Sequence, residues 1–495
     1  MVRLVALLMV LLVSGLSTAE ASEIFEKLID RARHSATQAY AKEAPVPDTA
    51  KLGYDAYRDI RFRPGSILWR DSDRFHVEFF PTGFLYQTPV KIYVIPRSGA
   101  SAETNLVTAL APSPEMFDFG AAKPPANVGF AGFKVTYPLN GEKFDEIVSF
   151  LGASYFRPLG RGQAYGASAR GLAIDTAQPR SEEFPEFREF WLVEPPPGDT
   201  SVTIYALLES PGASGAYAFT VTPGARTTVD VDARLFMRHG VSLLGIAPLT
   251  SMFLSGKSGP SRDDFRPEVH DSDGLALLTG QGERIWRPLR NPSSLQVSSF
   301  IDNNPRGFGL QQRERKFDRY QDGVAKYERR PSLWVEPKGN WGEGEVRLVE
   351  IPTPSEYHDN IVAFWVSRWP VEKGAALEYR YRLSALSDEA ALAPEARVVA
   401  TRQAPVDGNN KARRLVVEFE GDTLTRLQQQ RLVESNVEVG GGKLLRARID
   451  RVPGSTNRRL FIDVEPEGRR VVEVRAFLTV EGKRLSETFS IQLRP

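Results

Sequence analysis

Residues that could do chemistry are concentrated between Arg262 and Trp369. The stretch reads RDDFRPEVHDSDGL from Arg262, RRPSLWVEPKGNWGEGEV from Arg329 and HDNIVAFW from His358. It holds five of the seven tryptophans, Trp286, Trp334, Trp341, Trp365 and Trp369. Two histidines, His270 and His358, each stand directly before an aspartate, Asp271 and Asp359. The acidic candidates are Asp263, Asp264, Glu268, Asp271, Asp273, Glu343, Glu345, Glu356 and Asp359. Cleaving a glycosidic bond needs two carboxyl groups flanking it, one acid and one base or nucleophile. Tryptophans such as Trp334, Trp341 and Trp365 offer flat apolar faces to sugar rings, and arginines such as Arg266 can bond hydroxyls. Against this, a solvated acidic cluster without function is the commoner case, and all the tryptophans could be core. Asp271-Ser272-Asp273-Gly274 reads more readily as an Asx turn than as a Ca²⁺ turn.

Composition removes other chemistries. Without cysteine there is no thiolate nucleophile, disulfide or Cys-ligated metal. The sequence shows no P-loop, no dinucleotide-binding glycine motif after a strand and no His-Glu-x-x-His, so no cofactor and no metal is expected. A net charge of +1 supplies no field for nucleic acid or an anionic membrane surface. A neutral polymer is compatible with it.

The elements that must hold these residues are mostly strands. Forty glycines and 35 prolines favour many turns. Alternating apolar residues mark strands at Phe75–Phe79, Val90–Val94, Gly132–Tyr137, Arg188–Glu194, Ser201–Leu208, Ala216–Thr222 and Thr227–Arg238. Pro81-Thr82-Gly83 reads as the turn between the first two. Ser22–Ala41 has one apolar stripe at helical spacing, and Glu142–Leu151 suggests a short helix. Asp388–Pro405, rich in Ala and Pro, reads as a boundary, and a second run of strands follows it. The chain is therefore expected to be all-β: a large antiparallel sandwich over residues 22–387, a linker over 388–399 and an immunoglobulin-like sandwich over 400–495. Arg3, the apolar run of ten from Leu4 to Val13 and Ala19-Glu20-Ala21 form a secretory signal over residues 1–21. Export without a later anchor implies a periplasmic or secreted protein.

Longer strings carry a resemblance. GFAGFKVTYPLN from Gly129, DEIVSFLGASYFRPLGRGQAYGASARGLAIDTA from Asp145, GIAPLTSMFL from Gly245, RPEVHDSDGL, IWRPLRNP, RRPSLWVEPKGNWGEG and DNIVAFW resemble the periplasmic glucans biosynthesis protein family. The match is to its MdoG/OpgG type, with OpgD a close relative, and spans essentially the whole mature chain. The plain secretion signal favours the former type. The resemblance implies a mutarotase-like, carbohydrate-binding N-terminal sandwich and an immunoglobulin-like C-terminal domain. It implies a periplasmic role in making osmoregulated glucans, and action on a β-1,2-glucan backbone as an inverting endo-β-1,2-glucanase. By the same resemblance, Asp359 falls at the acid position and Tyr327 near the cleaved linkage, while Asp271 is assigned the base side. Asp359 is expected to be held protonated by partial burial beside Trp365. His270, Arg266, Trp334, Trp341 and Trp365 are expected to line the substrate. Tyr357 and His358, also placed at the substrate, stand where relatives tend to have small polar residues. A non-catalytic glucan binder or scaffold beside a membrane glucan synthase, and a branching or cyclising transglycosylase, remain alternatives. The loop Pro405–Arg413 leaves a homodimer open, with a free surface loop as the default.

Overall fold

A computed structural model describes residues 23–49, 52–97, 107–257, 259, 263–387, 395–427, 432–468 and 471–493. The expected signal segment and most of the expected linker lie outside these residues. Contacts divide the chain into two interleaved units. The first comprises Met1–Gly162, Ser168–Pro248 and Val366–Ala385, and the second Gln163–Ala167, Leu249–Trp365 and Leu386–Pro495.

The first unit packs one sheet on another. In one, His76–Pro81, Phe130–Tyr137, Asp145–Leu151, Tyr155–Pro158 and Ser168–Arg170 are successive antiparallel neighbours. In the other, Glu186–Val193, Val202–Glu209, Ala213–Thr222, Thr227–Met237 and Ala376–Leu386 pair antiparallel in that order. Lys91–Ile95 joins the edge of this sheet, parallel to Glu186–Val193. Side chains alternate across a strand, so each sheet sends one row of phenylalanines inward. Phe133 and Phe150 meet Phe190 at 5.0 and 5.4 Å between ring centres, and Phe156 meets Phe219 at 5.2 Å. The helix over residues 23–35 covers the other face of the second sheet. There Leu28, Ile29 and Ala32 pack with Trp191, Tyr205, Leu207 and Phe236, and Arg31 grips the buried Glu189 at 2.6 and 3.0 Å.

Three sequence expectations are corrected. The helix ends near residue 35 rather than Ala41. Glu142–Leu151 holds no helix: Asp145–Leu151 is a strand with Ile147, Val148 and Phe150 buried between two neighbours. Pro81-Thr82-Gly83 does not close a hairpin, because the strands on either side of it belong to different sheets.

In the second unit, Gly274–Leu278 lies between Arg284–Pro288 and Gly307–Gln311, and Gln296–Asn303 pairs with Glu343–Glu350. Its C-terminal strands form two facing sheets. One runs Arg397–Val406, Asn409–Glu420, Arg458–Pro466, Gly442–Arg451. The other contains Glu434–Gly440, Val472–Val480 and Thr488–Leu493. Leu415, Val417, Phe419, Leu460 and Ile462 pack against Val474, Ala476, Leu478, Phe489 and Ile491 between them. The last strand also continues in parallel onto Ile285 and Trp286, and Trp286 is part of that same core.

Candidate active site

Asp271 follows the two-residue strand Val269–His270, which pairs with Phe253–Ser255. Its own N–H donates to the Met252 carbonyl at 2.8 Å, so its position is set by sheet-like bonding. The carboxyl is buried, 4% exposed, and receives the Arg330 guanidinium. Arg330 is itself fixed, its carbon 4.1 Å from the Tyr327 ring centre and two of its nitrogens donating to the Ala325 carbonyl at 3.3 and 3.2 Å. Burial pushes Asp271 up to about 6, with Arg330 opposing and the nearby charge of Asp359 assisting. The two aspartates therefore feel each other.

Asp359 lies on the connection between Glu343–Glu350 and Ile361–Ser367. The neck of that connection is held by Asn360, 1% exposed. The Asn360 amide accepts from the Phe253 N–H at 2.8 Å and donates to the carbonyls of Phe253 and Ile351 at 3.0 and 2.9 Å. Midway, Asn291 exchanges bonds with the backbone of Thr353 at 3.0 and 2.8 Å. Near the tip, Glu356 takes the Tyr327 hydroxyl and an Arg266 nitrogen. Arg266 also holds Asp264 and, at 2.9 Å, Asp322. Its bond to Asp264 leads the causes that raise Arg266 and lower Asp264. Burial, then the Glu356 bond, raises the Tyr327 phenol well above its usual range, so Tyr327 is a neutral donor at ordinary pH.

Behind Asp271 lies a buried ion network. Gln312 donates to the carbonyls of His270 and Tyr327 at 2.9 and 3.1 Å. Its amide oxygen must then face His270 Nδ1, at 2.9 Å, while Glu268 faces Nε2 at 3.1 Å. Both ring nitrogens meet acceptors, which favours the doubly protonated ring. Burial opposes that charge, but Asp273 and Glu268 outweigh it and His270 titrates above its usual value. Candidate ligand atoms of Glu268, His270 and Asp273 lie within 4.8 Å of one another. Glu268 already bonds Arg319, Lys257 lies close enough for both carboxylates to raise it, and Asp273 accepts the N–H of Glu314 at 2.7 Å. The cluster is thus a charge-balanced internal network. Asp273 bonds the backbone of another strand end rather than capping an Asx turn.

The structure brings together Asp271, Asp359, Tyr327 and Arg266, and it corrects several expected contacts. His270 is 0% exposed and offers no surface to a ligand. Trp334, Trp341 and Trp365 are buried. Trp341 and Trp365 pack on each other with ring centres 6.2 Å apart, and a side chain at Gly307 would overlap the Trp334 ring. None of the three presents a face for stacking. Asp359 is exposed rather than partly buried. Tyr357, 87% exposed, and His358, whose Nδ1 lies 3.4 Å from the Thr353 hydroxyl, project beside it. Arg330, Gln312 and Asn360 escaped sequence reasoning because their partners are distant in the chain. Glu356 was among the acidic candidates, with nothing in its neighbours to single it out.

Fold and site define an all-β protein with a paired-carboxylate centre braced by arginine and tyrosine. The profile of the family described as periplasmic glucan biosynthesis protein, MdoG, matches residues 24–493, and the chain belongs to this family. It is 45% identical to glucans biosynthesis protein G 1 of Shewanella oneidensis, over 94% of this chain and 86% of that protein. It is also 45% identical to glucans biosynthesis protein G of Vibrio cholerae, over 94% and 85%.

Proposed function

We propose that this protein takes part in the biosynthesis of osmoregulated periplasmic glucans and acts on their β-1,2-linked backbone as an inverting endo-glucanase. The family and the length of its match support the biosynthetic role. A periplasmic location follows from the family description, and no helix among the described residues is long and apolar enough to cross a membrane.

The observation that carries the catalytic reading is Asp271, a buried carboxyl pushed up to about 6 beside a second, exposed carboxyl. A general base works best with its pKa near the operating pH. At neutral pH Asp271 is ionised yet basic enough to take a proton from an attacking water, and Arg330 fixes its orientation. Asp359 is the acid. Glucan lying over this exposed residue sets its carboxyl against the leaving oxygen, which it protonates directly or through a hydroxyl or water. Tyr327 donates its hydroxyl to Glu356 and holds the Asp359 loop at the cleaved linkage. An inverting pair stands about 6.5–9.5 Å apart, with room for the water.

Purified protein incubated with linear β-1,2-glucan should yield shorter chains, with the new reducing ends first appearing in the inverted anomer by NMR. Asp359→Asn and Asp271→Asn should each abolish product while leaving glucan binding intact. Full turnover by either variant would remove that residue from the mechanism. One observation favours the binder or scaffold reading, beside a membrane glucan synthase: Asp359 is exposed. Unchanged glucan after prolonged incubation, with binding retained, is the outcome that selects it, whereas branched or cyclic products select transfer.

A further inference from the structure

The first unit contains a cavity of about 680 Å³ that shares no residue with the carboxylate centre. The segment 65–73, which includes the first half of the loop between Leu68 and Val77, lines it together with Arg97, Glu194 and the apolar Phe79, Leu110 and Met116. Leu68 and Val77 close the loop with paired backbone bonds of 3.0 and 3.1 Å. Inside it, the Ser72 N–H donates to the Trp69 carbonyl at 2.8 Å, and the Ser72 hydroxyl accepts the N–H groups of Arg74 and Phe75, both at 3.2 Å. The loop is therefore held in shape before any ligand arrives.

Trp69 is unusual in two independent ways. Its backbone has φ of 59°, a left-handed conformation that bulky side chains rarely adopt. Residues held in such conformations cluster at ligand sites. Its indole nitrogen is also buried without a hydrogen-bond partner, although a buried indole N–H usually finds one. Arg70, Asp71, Asp73, Arg97 and Glu194 surround the cavity. Two positive and three negative groups provide no strong field for an anion, and with Ile67, Phe79, Leu110 and Met116 they make a wall that is part polar and part apolar. An aromatic face, apolar patches and carboxylates that accept hydroxyl protons suit a neutral ring with apolar C–H faces and many hydroxyls. The volume lies within the range of small-ligand sites, about 300–1,000 Å³.

We propose that the Trp69 cavity is a second carbohydrate-binding site, which holds a glucose-oligosaccharide stretch of the glucan by stacking of a sugar ring on Trp69 and hydrogen bonds from sugar hydroxyls to the carboxylates of the wall. This rests on the glucan reading above and adds a holding site to it, one that keeps a long chain on the protein independently of the carboxylate pair.

The test is calorimetric titration of the full-length Asp359→Asn protein, which does not consume substrate, with β-1,2-gluco-oligosaccharide. Two classes of site are expected. Adding Trp69→Phe keeps a smaller ring, and should weaken one class several-fold through the reduced stacking face. Adding Trp69→Gly relieves the left-handed backbone and should abolish that class while the unfolding temperature stays near that of the parent. In ¹⁵N-indole spectra the Trp69 signal should move on titration. One class of site, unaffected by either change and without movement of that signal, overturns the second site and leaves the catalytic reading standing. A protein that binds no glucan overturns both. Should Trp69→Gly fail to fold, the Phe variant and the indole signal decide.

Discussion

At the scale of single residues, the centre is governed by opposing influences on Asp271. Burial and Asp359 push its carboxyl up, and Arg330 pulls it down. Removing either neighbour must therefore shift it in opposite directions. Arg330→Gln should raise Asp271 above about 6, and Asp359→Asn should lower it, as followed by carboxyl ¹³C titration; shifts of the same sign would refute this account. The wild-type pH–rate profile should fall on its acidic side near pH 6, where the base becomes protonated. Stability follows the same shift. The folded-state value lies above the ordinary 3.8, so the folded chain binds the extra proton between the two values. The stability linked to that proton is complete below about pH 4 and is lost as pH rises through about 6. The gap corresponds to roughly 3 kcal/mol. Asp271→Asn should therefore gain up to that amount, relative to wild type, on going from about pH 4 to about pH 8 in denaturant titrations.

At the scale of elements, the 351–360 connection is a loop made rigid by side chains rather than by secondary structure. Asn360 holds its neck, Asn291 its middle, and Glu356 ties its tip to Arg266 and Tyr327. Small displacements of a reacting group cost about 100-fold in rate. Arg266→Met, which keeps the stem but releases Glu356, should lower turnover by roughly 10- to 100-fold with KM little changed. It should also speed hydrogen exchange in residues 351–360, whereas exchange unchanged alongside lost activity would make Arg266 a direct substrate ligand. The strands around these loops were legible in sequence because burial imposes a period of two: Thr227–Met237 alternates buried and half-buried side chains through most of its length. Asp145–Leu151 was not, because four successive positions from Ile147 are buried. A run buried at every position carries no period that separates a strand from a helix.

At the scale of the whole molecule, the chain revisits its units. Segments far apart in sequence, 249–365 and 386–495, share the second one. Arg313 and Glu487 join these segments as a pair, 5% and 4% exposed, and Glu487 also accepts the Val398 N–H at 2.7 Å. Glu487→Gln removes the carboxylate charge that faces buried Arg313, which should cost about 3–5 kcal/mol in urea unfolding. Ile462, fully buried between the two C-terminal sheets, should cost about 2–5 kcal/mol on replacement by Ala. If these segments unfolded independently, the two losses would appear in separate transitions; sharing one unit, they should shift a single one.

The sequence by itself determined the all-β class, most strand positions and the family, because alternation, turn residues and long ordered strings are local. It also brought Asp271, Asp359 and Tyr327 forward together. Only the tertiary structure decided their states. Burial depends on which chain segments pack overhead, and that placed Trp334, Trp341 and Trp365 in the interior and Asp359 at the surface. Charge depends on neighbours dozens of residues away. Arg330, 59 positions from Asp271, and Arg266, 90 positions from Glu356, shape the centre through contacts that no local pattern in the chain records.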